Sequence, residues 1–210
     1  MTGLSPDSSL RRAQILEGAG KLFVAHGFEG AKLSMIASEA GAVVGSLTNF
    51  YGDKARLAAA VHADALESLI GLLEEQLRRN GPDVHGAIKA VILAYFAWAT
   101  ANPNRQAVFG ILDPYAAPDG TGQATTLQAR IEQVLAAWAG PIIRAKLMTP
   151  LTPAQLFAII MAPAIGSARS TAPVRPSDPD VSGEWPTLLT SLAVFGIEQA
   201  GRKSVRPSKR

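Results

Sequence analysis

Polar side chains and a lysine gather in residues 41–57, GAVVGSLTNFYGDKARL, within a chain otherwise rich in alanine and leucine. Ser46, Thr48 and Asn49 carry hydroxyl and carboxamide groups, which can hydrogen-bond to base edges and phosphates in the major groove of DNA. Lys54, together with the first free backbone amides of the helix that follows, suits a phosphate oxygen. These residue types at this spacing predict a contact with DNA.

A helix-turn-helix would hold these side chains outward. Gly41 falls where the chain leaves the first helix in a left-handed conformation, which glycine adopts without steric cost. The second helix then turns Val44 and Gly45 away from the protein, and Gly45 allows its backbone to approach a duplex closely. Tyr51 is expected to pack in the core rather than contact a base. Four apolar side chains are expected to fill the small core between the two helices: Ile36, Ala40, Leu47 and Phe50.

Helical patterns recur along the whole chain, and no convincing run of alternating strand residues appears. The chain is therefore predicted to be all-α, with about nine helices. Asp53 is a candidate N-cap for a long fourth helix that ends near Asn80. The segment Thr152–Gln155 has the pattern of a capping box, and Pro163 should kink or shorten the helix that it opens. Residues 171–183 contain three prolines and are predicted to form a linker.

Three segments differ in charge and expected role. Residues 1–57, the expected helix-turn-helix domain, carry six basic and five acidic side chains. Residues 58–201, the expected helical ligand-binding and dimerisation domain, carry nine and twelve, and the tail 202–210 carries five basic and no acidic ones. The tail either contacts a polyanion or serves as a solubilising end.

Signals of enzymatic chemistry are absent from the sequence. There is no cysteine, no glycine-rich phosphate loop and no Gly-x-Ser-x-Gly motif. The histidines fall on separate predicted helices without metal-ligand spacing: His26, His62 and His85. We therefore predict no catalytic residue, no metal and no cofactor. The N-terminus lacks an apolar signal core, and the longest uninterrupted apolar run, Ala90–Ala99, has ten residues, so we expect a cytoplasmic protein that does not enter a membrane.

Three segments within residues 10–57, RRAQILEGAGKLFVAHGFEG, MIASEAG and GSLTNFYGDKARL, resemble the DNA-binding domain of the TetR (TetR/AcrR) family of bacterial transcriptional regulators. The resemblance implies a ligand-responsive regulator, expected to be a repressor. Such a regulator binds a near-palindromic operator as a homodimer and is released by a small-molecule effector. It also implies an N-terminal three-helix domain that a long fourth helix joins to a C-terminal helical domain.

Five positions depart from the usual family pattern. Lys32 stands where a phosphate-binding threonine is usual, and it can replace that contact electrostatically. Val43 replaces the serine that caps the recognition helix, and loss of such a cap costs about 1 kcal/mol. Val44, Thr48 and Asn49 replace basic, polar or aromatic residues. These departures predict weaker binding or an unusual operator. They also keep open a second hypothesis, a helical ligand-binding or interaction protein whose DNA-reading helix has decayed.

The resemblance further implies where effector and partner bind. Helices five to seven enclose the effector cavity in the family, which makes three aromatic residues candidates for its lining: Trp98, Phe109 and Trp138. Few charges accompany them, so an apolar or aromatic effector is expected, although the commoner role of such an aromatic residue is in the core. The last two long helices form the family's dimer interface, which in this chain would use Leu156, Ile160, Ala164, Leu188, Leu192 and Phe195.

Overall fold

The computed structural model describes residues 6–115, 127–148, 150–170 and 189–197, and within these ranges it contains helices and no strand. The all-α prediction is therefore confirmed. The helices are α1 (Pro6–Gly30), α2 (Leu33–Glu39), α3 (Val44–Tyr51), α4 (Lys54–Asn80), α5 (Val84–Ala101), α6 (Pro103–Leu112), α7 (Leu127–Arg144), α8 (Pro153–Ile160), α9 (Ala162–Ser170) and α10 (189–197), with a 3₁₀ turn at Asp113–Tyr115.

Two helix starts follow the capping signals in the sequence. At the start of α4, the backbone N–H of Arg56 donates to Asp53 Oδ1 at 2.8 Å. At the start of α8, the Gln155 backbone N–H donates to Thr152 Oγ1 at 3.2 Å, and the Thr152 N–H donates to Gln155 Oε1 at 2.8 Å. Both caps satisfy amide groups that a helix cannot pair internally, so local sequence determines where these helices begin.

The prediction that Pro163 shortens the helix opened by Thr152 is confirmed. The helix opened by Thr152 ends at Ile160, and a new helix that contains Pro163 begins at Ala162. In α7 the helix continues through Pro141 to Arg144. Several predictions fall outside the described residues: the linker 171–183, the basic tail 202–210, and the ends 184–188 and 198–200 of the last predicted helix.

The chain packs as two compact units, and α4 contributes to both. Of the described residues, the first unit holds α1 to α3, α4 as far as Ser68, and α6 with its 3₁₀ turn. The second unit holds the rest of α4, α5, α7 from Gln128 onward, and α8 to α10. The functional division at residues 57 and 58 stays a prediction.

The first unit is built on α1, which packs against both α2 and α6. Ile15, Ala19 and Phe23, which recur at four-residue spacing on one face of α1, are fully buried. Arg105 of α6 donates to Asp64 of α4 at 2.8 Å within the same unit. The two segments of the unit are thus joined by apolar burial and by an ion pair.

In the second unit, α5 is long and apolar enough to cross a membrane by length and composition alone. Six of its side chains are buried inside the protein, however, among them Tyr95 and Trp98, and α5 packs against α9. Burial in the protein's own core accounts for the apolar character of α5.

Candidate DNA interface and effector cleft

The turn between α2 and α3 has the geometry that the sequence predicts. Gly41 has a φ of 58°, in the left-handed region. The Ala42 N–H donates to the Ala37 carbonyl at 2.8 Å and the Gly41 N–H to the Ser38 carbonyl at 3.2 Å, the bond pair of a Schellman motif. The Arg11 guanidinium of α1 donates to the Gly41 carbonyl at 2.9 Å. The turn is therefore held both by its own backbone and by the first helix.

Three of the four predicted core side chains between α2 and α3 are buried: Ile36, Ala40 and Leu47. The prediction for Phe50 is wrong, because this side chain is 50% exposed. Around a helix, Tyr51 lies about 40° from Leu47 and Phe50 about 60° away on the other side. Tyr51 takes the inward place, and its hydroxyl oxygen is buried. Burial raises the pKa of Tyr51, while the nearby Arg12 guanidinium acts in the opposite direction.

The opposite face of α3 is open to solvent. Gly45, Thr48 and Asn49 are exposed, and Ser46 is half-buried. Two of these residues lie at the centre of the face, since Gly45 and Asn49 are one helical turn apart. That these residues contact DNA stays a prediction. The structure does bring them together on one short helix.

The start of α3 lacks a side-chain cap, as the sequence implies. Val43 has an extended backbone and makes no capping hydrogen bond. Thr48 Oγ1 donates to the Val44 carbonyl at 3.2 Å, so its hydroxyl proton is used within the helix. This bond could not be foreseen from the sequence, because threonine on a helix surface can adopt either of two rotamers.

Lys54, the predicted phosphate ligand, makes two bonds within the protein. Its Nζ donates to the carbonyls of Phe28 at 2.9 Å and Glu29 at 3.3 Å, and lies 4.5 Å from the centroid of the Phe28 ring. Phe28 in turn stacks on Tyr115 at 3.8 Å between centroids. These carbonyls belong to the last turn of α1, which follows an interruption at Gly27 (φ 69°). The lysine thus fastens the start of α4 to the end of α1, and one of its three donors is left for a phosphate.

Lys32, the other predicted phosphate ligand, is the N-terminal flanking residue of α2. It is exposed, its backbone is extended, and its side chain makes no cap to the helix. Its ammonium is therefore available at the same end of α2 where unpaired backbone amides favour an anion.

A cleft of about 620 Å³ lies in the second unit between the end of α4 and α7. Its walls are mainly apolar, with Trp138, Val134 and Ile142 on one side and Leu77 with Pro82 on the other. The indole N–H of Trp138 donates to the Gly81 carbonyl at 3.1 Å, which orients the ring. A cleft of this size and lining suits a small apolar ligand.

The three aromatic residues proposed for the effector cavity have different surroundings. Trp138 lines the cleft. Trp98 is buried on α5 in the second unit, and Phe109 is buried on α6 in the first unit, where its ring lies edge-on to that of His62 at 5.5 Å. Neither of these two lines the cleft. The sequence did not lead us to Val134 and Ile142 as lining residues of the cleft. Both lie four residues from Trp138 and hence on the same face of α7, and this spacing is the signal that could have found them.

The rim of the cleft carries charge. Glu74 and Arg78 line it, and Arg78 also pairs with Glu75. Hydrogen bonds from Arg78 and Arg79 hold the pKa of Glu75 below its ordinary value. Within the described part of the chain, no group of three or more histidine, aspartate or glutamate side chains could hold a metal ion.

Residues predicted for the dimer interface fall into two groups. Leu156, Ile160 and Ala164 are buried within their own unit. Leu192 and Phe195 of α10 are exposed, at 57% and 58%. Leu188 lies outside the described residues. The first three therefore contribute to the fold of α8 and α9, whereas the exposed pair provides an apolar surface.

Comparisons with known proteins agree with this arrangement. Residues 15–61 match the family model described as bacterial regulatory proteins, tetR family. A comparison with curated protein sequences finds no match. Three solved structures are similar in fold over nearly the whole chain, at identities too low to carry more than the fold.

The first of these is the TetR family transcriptional regulator PfmR from Thermus thermophilus, 18% identical over 88% of this chain and 97% of that chain, with a TM-score of 0.66. The second is the fatty acid degradation regulator FadR from Bacillus halodurans, 13% identical over 93% and 97%, with a TM-score of 0.70. The third is FadR from Bacillus subtilis in complex with stearoyl-CoA, 13% identical over 88% and 97%, with a TM-score of 0.66.

A helix-turn-helix with an outward reading helix, continued by a long helix into a second helical unit, defines a class of DNA-binding regulators. Within that class, the match at residues 15–61 and the shared fold both point to one family. The chain has the DNA-binding domain and the fold of a TetR-family transcriptional regulator, as the resemblance predicted.

Proposed function

We propose that this chain is a ligand-responsive repressor of transcription that places α3 in the major groove of its operator. The observation that supports this best is the two-sided character of α3. Leu47 is buried in the core of the first unit, while Gly45, Thr48 and Asn49 face solvent. A helix held in this way is already oriented for a groove, with Lys32 and Lys54 available for phosphates. Such a protein acts in the cytoplasm.

The proposal includes a homodimer. Leu192 and Phe195 are large apolar side chains that protrude from α10, while Leu189, Ala193 and Ile197 of the same helix are buried in its own unit. A second copy of the chain would cover them. Two-fold symmetry would then place two reading helices about 34–36 Å apart, so that the operator is near-palindromic.

We further propose that the effector is a small apolar or aromatic molecule bound in the cleft beside Trp138. The cleft volume and its apolar lining support this, and Arg78 at the rim suits a carboxylate or phosphate on the ligand. The structure of FadR from Bacillus subtilis contains a ligand with this combination of a long apolar chain and phosphates. A ligand that binds only the conformer with poorly placed reading helices would shift the population away from DNA.

DNA binding is tested by gel retardation of the region upstream of the chain's own coding sequence. The intact protein is expected to retard it, and Asn49→Ala is expected to weaken binding at least about ten-fold if its carboxamide makes a bidentate base contact. Gln133→Ala, which removes an exposed carboxamide from α7, serves as the matched control. Equal retardation by all three proteins would contradict the assignment of α3.

Dimerisation is tested by sedimentation of the variant with Leu192→Glu and Phe195→Glu. Both positions are exposed, so the protomer should fold, and the variant is expected to sediment as a monomer with reduced operator affinity. A dimer that survives both charges would place the interface elsewhere.

Effector binding is tested with stearoyl-CoA as the probe. Release of DNA is expected for the intact protein, and Ala137→Trp, which fills the cleft from an exposed position on α7, is expected to abolish release without loss of DNA binding. Undiminished release from this variant would place the effector elsewhere, and absence of release from both would exclude long-chain acyl-CoA thioesters as effectors.

A second candidate function is a ligand-binding or interaction protein that no longer reads DNA. It is favoured by the uncapped Val43, the exposed apolar Val44 and the hydroxyl of Thr48, which is bonded to its own helix. The two functions are distinguished by the retardation experiment, because this candidate predicts no sequence preference among duplexes.

A further inference from the structure

Methyl groups line one side of the exposed face of α3. Val43 is 69% exposed and Val44 is 42% exposed, although both are aliphatic. Val44 and Thr48 lie four residues apart, so their side chains are neighbours on the helix surface. Val44 and Thr48 thus form a short strip at the edge of the reading face, with Val43 exposed just before the helix begins.

Thr48 belongs to this strip through its methyl group. Its Oγ1 donates to the Val44 carbonyl at 3.2 Å, so the hydroxyl turns toward the helix backbone and its proton is unavailable to a base. With Oγ1 bonded to the backbone, the methyl group Cγ2 is the group that this exposed side chain can offer to a base. The residue that sequence reasoning treated as a polar donor therefore has largely the surface chemistry of a small aliphatic residue.

The polar groups of the same face lie beside the strip. Asn49 is exposed and adjacent to Thr48, and Gly45 next to Val44 adds no side chain of its own. A surface with one carboxamide and a row of methyl groups matches a distinct pattern in the major groove. Thymine is the base that presents a methyl group there, at C5, and apolar side chains recognise it by contact.

We propose that Val44 and Thr48 recognise thymine C5 methyl groups in the operator, with Asn49 as the adjacent polar contact. The inference rests on the proposed DNA-binding function and gives it a specificity. The occupant of the strip is a DNA duplex because the strip continues the exposed face of the helix-turn-helix, within the residues that match the regulator family. The departures at positions 44 and 48 are then determinants of sequence preference, and α3 has not decayed.

The test begins with selection of duplexes by the full-length protein from a pool of random sequence. The selected half-site is expected to contain thymine at positions shared by most recovered duplexes. Each such thymidine is then replaced singly by deoxyuridine, which removes the C5 methyl group and leaves base pairing unchanged. At the position that faces Val44 the affinity should fall about four-fold, the effect of one lost methyl contact.

Variants assign the effect to the side chain. Val44→Ala should bind the thymidine and deoxyuridine duplexes with equal affinity, while Val44→Thr, which keeps a methyl group in nearly the same volume, should keep part of the discrimination. Asn49→Ala serves as the control, since it should weaken binding to both duplexes and leave their ratio unchanged. Both positions are exposed, and far-ultraviolet circular dichroism verifies that each of the three variants is folded.

The outcomes separate this inference from the function on which it rests. Enrichment of specific duplexes that are indifferent to deoxyuridine at every position overturns the inference and leaves the DNA-binding proposal standing. Discrimination that persists in Val44→Ala at every thymine position, with none lost, also overturns it. Failure to enrich any duplex overturns the proposed function, and the inference with it.

Discussion

The helix-turn-helix and the cleft beside Trp138 differ in how many residues determine their structure. The position of α3 depends on a few sites where one side chain or one backbone conformation is required, such as Gly41 with its φ of 58° and the fully buried Leu47. The cleft is formed by many side chains of α4 and α7, and the one lining residue with a left-handed backbone is Gly81 (φ 54°), just after α4. Single substitutions should therefore disrupt the first region strongly and the second only slightly.

The largest expected effect is that of Leu47→Ala. Removal of this buried side chain should lower the free energy of unfolding by about 2–5 kcal/mol and abolish specific DNA binding, because α3 loses its anchor. Thermal unfolding and gel retardation measure the two effects.

Two substitutions serve as controls for Leu47→Ala. Phe50→Ala on the half-exposed side of α3 should cost about 1 kcal/mol or less, and Ala137→Leu in the cleft should change stability by less than about 0.5 kcal/mol. Equal losses at positions 47 and 50 would show that Phe50 does anchor α3, contrary to the structure.

The next effect concerns two glycines four residues apart. Gly41→Ala should destabilise by about 1–2 kcal/mol, because the left-handed conformation is unfavourable for a residue with a Cβ atom. Gly45→Ala should instead stabilise the protein by about 0.5–1 kcal/mol, since Gly45 is helical and an added Cβ would meet open space.

Gly45→Ala also tests the close approach of α3 to DNA. If the backbone contacts the duplex, this more stable variant should bind its operator more weakly. Unchanged affinity would identify Gly45 as an ordinary surface glycine. Denaturant titration and gel retardation on the same preparations keep the two effects apart.

A smaller effect is expected for Lys54→Ala. Loss of the bonds to Phe28 and Glu29 should lower the melting temperature, and loss of a phosphate contact should reduce the slope of log K against log salt by about 1. Lys21→Ala, which removes an exposed cation paired with Glu17, should leave that slope unchanged. A lower affinity at unchanged slope would mean that Lys54 acts only by fastening α4 to α1.

The smallest effect lies at the rim of the cleft. Arg78 and Arg79 lower the pKa of Glu75 relative to its ordinary value of 4.5. The stability from this pairing is therefore present above that value and is lost as the pH falls through the lower pKa of the folded state. Glu75→Gln should therefore reduce the loss of unfolding free energy at acid pH. The reduction should be small, because the pair is on the surface. A curve unchanged within error would show that the pairing contributes nothing measurable.

Much of the first region could be predicted from local sequence. The Gly41 turn, the Asp53 cap and the burial of Ile36 and Leu47 all follow from requirements that act over three to six residues, such as backbone conformation and helix period. Tyr51 was expected in the core and lies there, but Phe50 was wrongly placed in the core with it, because both are large aromatic residues close to Leu47 around the helix.

By itself, the sequence of this protein determined the all-α fold, the helix boundaries marked by caps and prolines, and the outward placement of Asn49, since these follow from short-range hydrogen bonding and apolar periodicity. Only the tertiary structure decided that Lys54 bonds to the end of α1, that Phe109 packs against His62, and that Trp138 lines a cleft. Those contacts join residues far apart in the chain, and no local pattern encodes the distance between them.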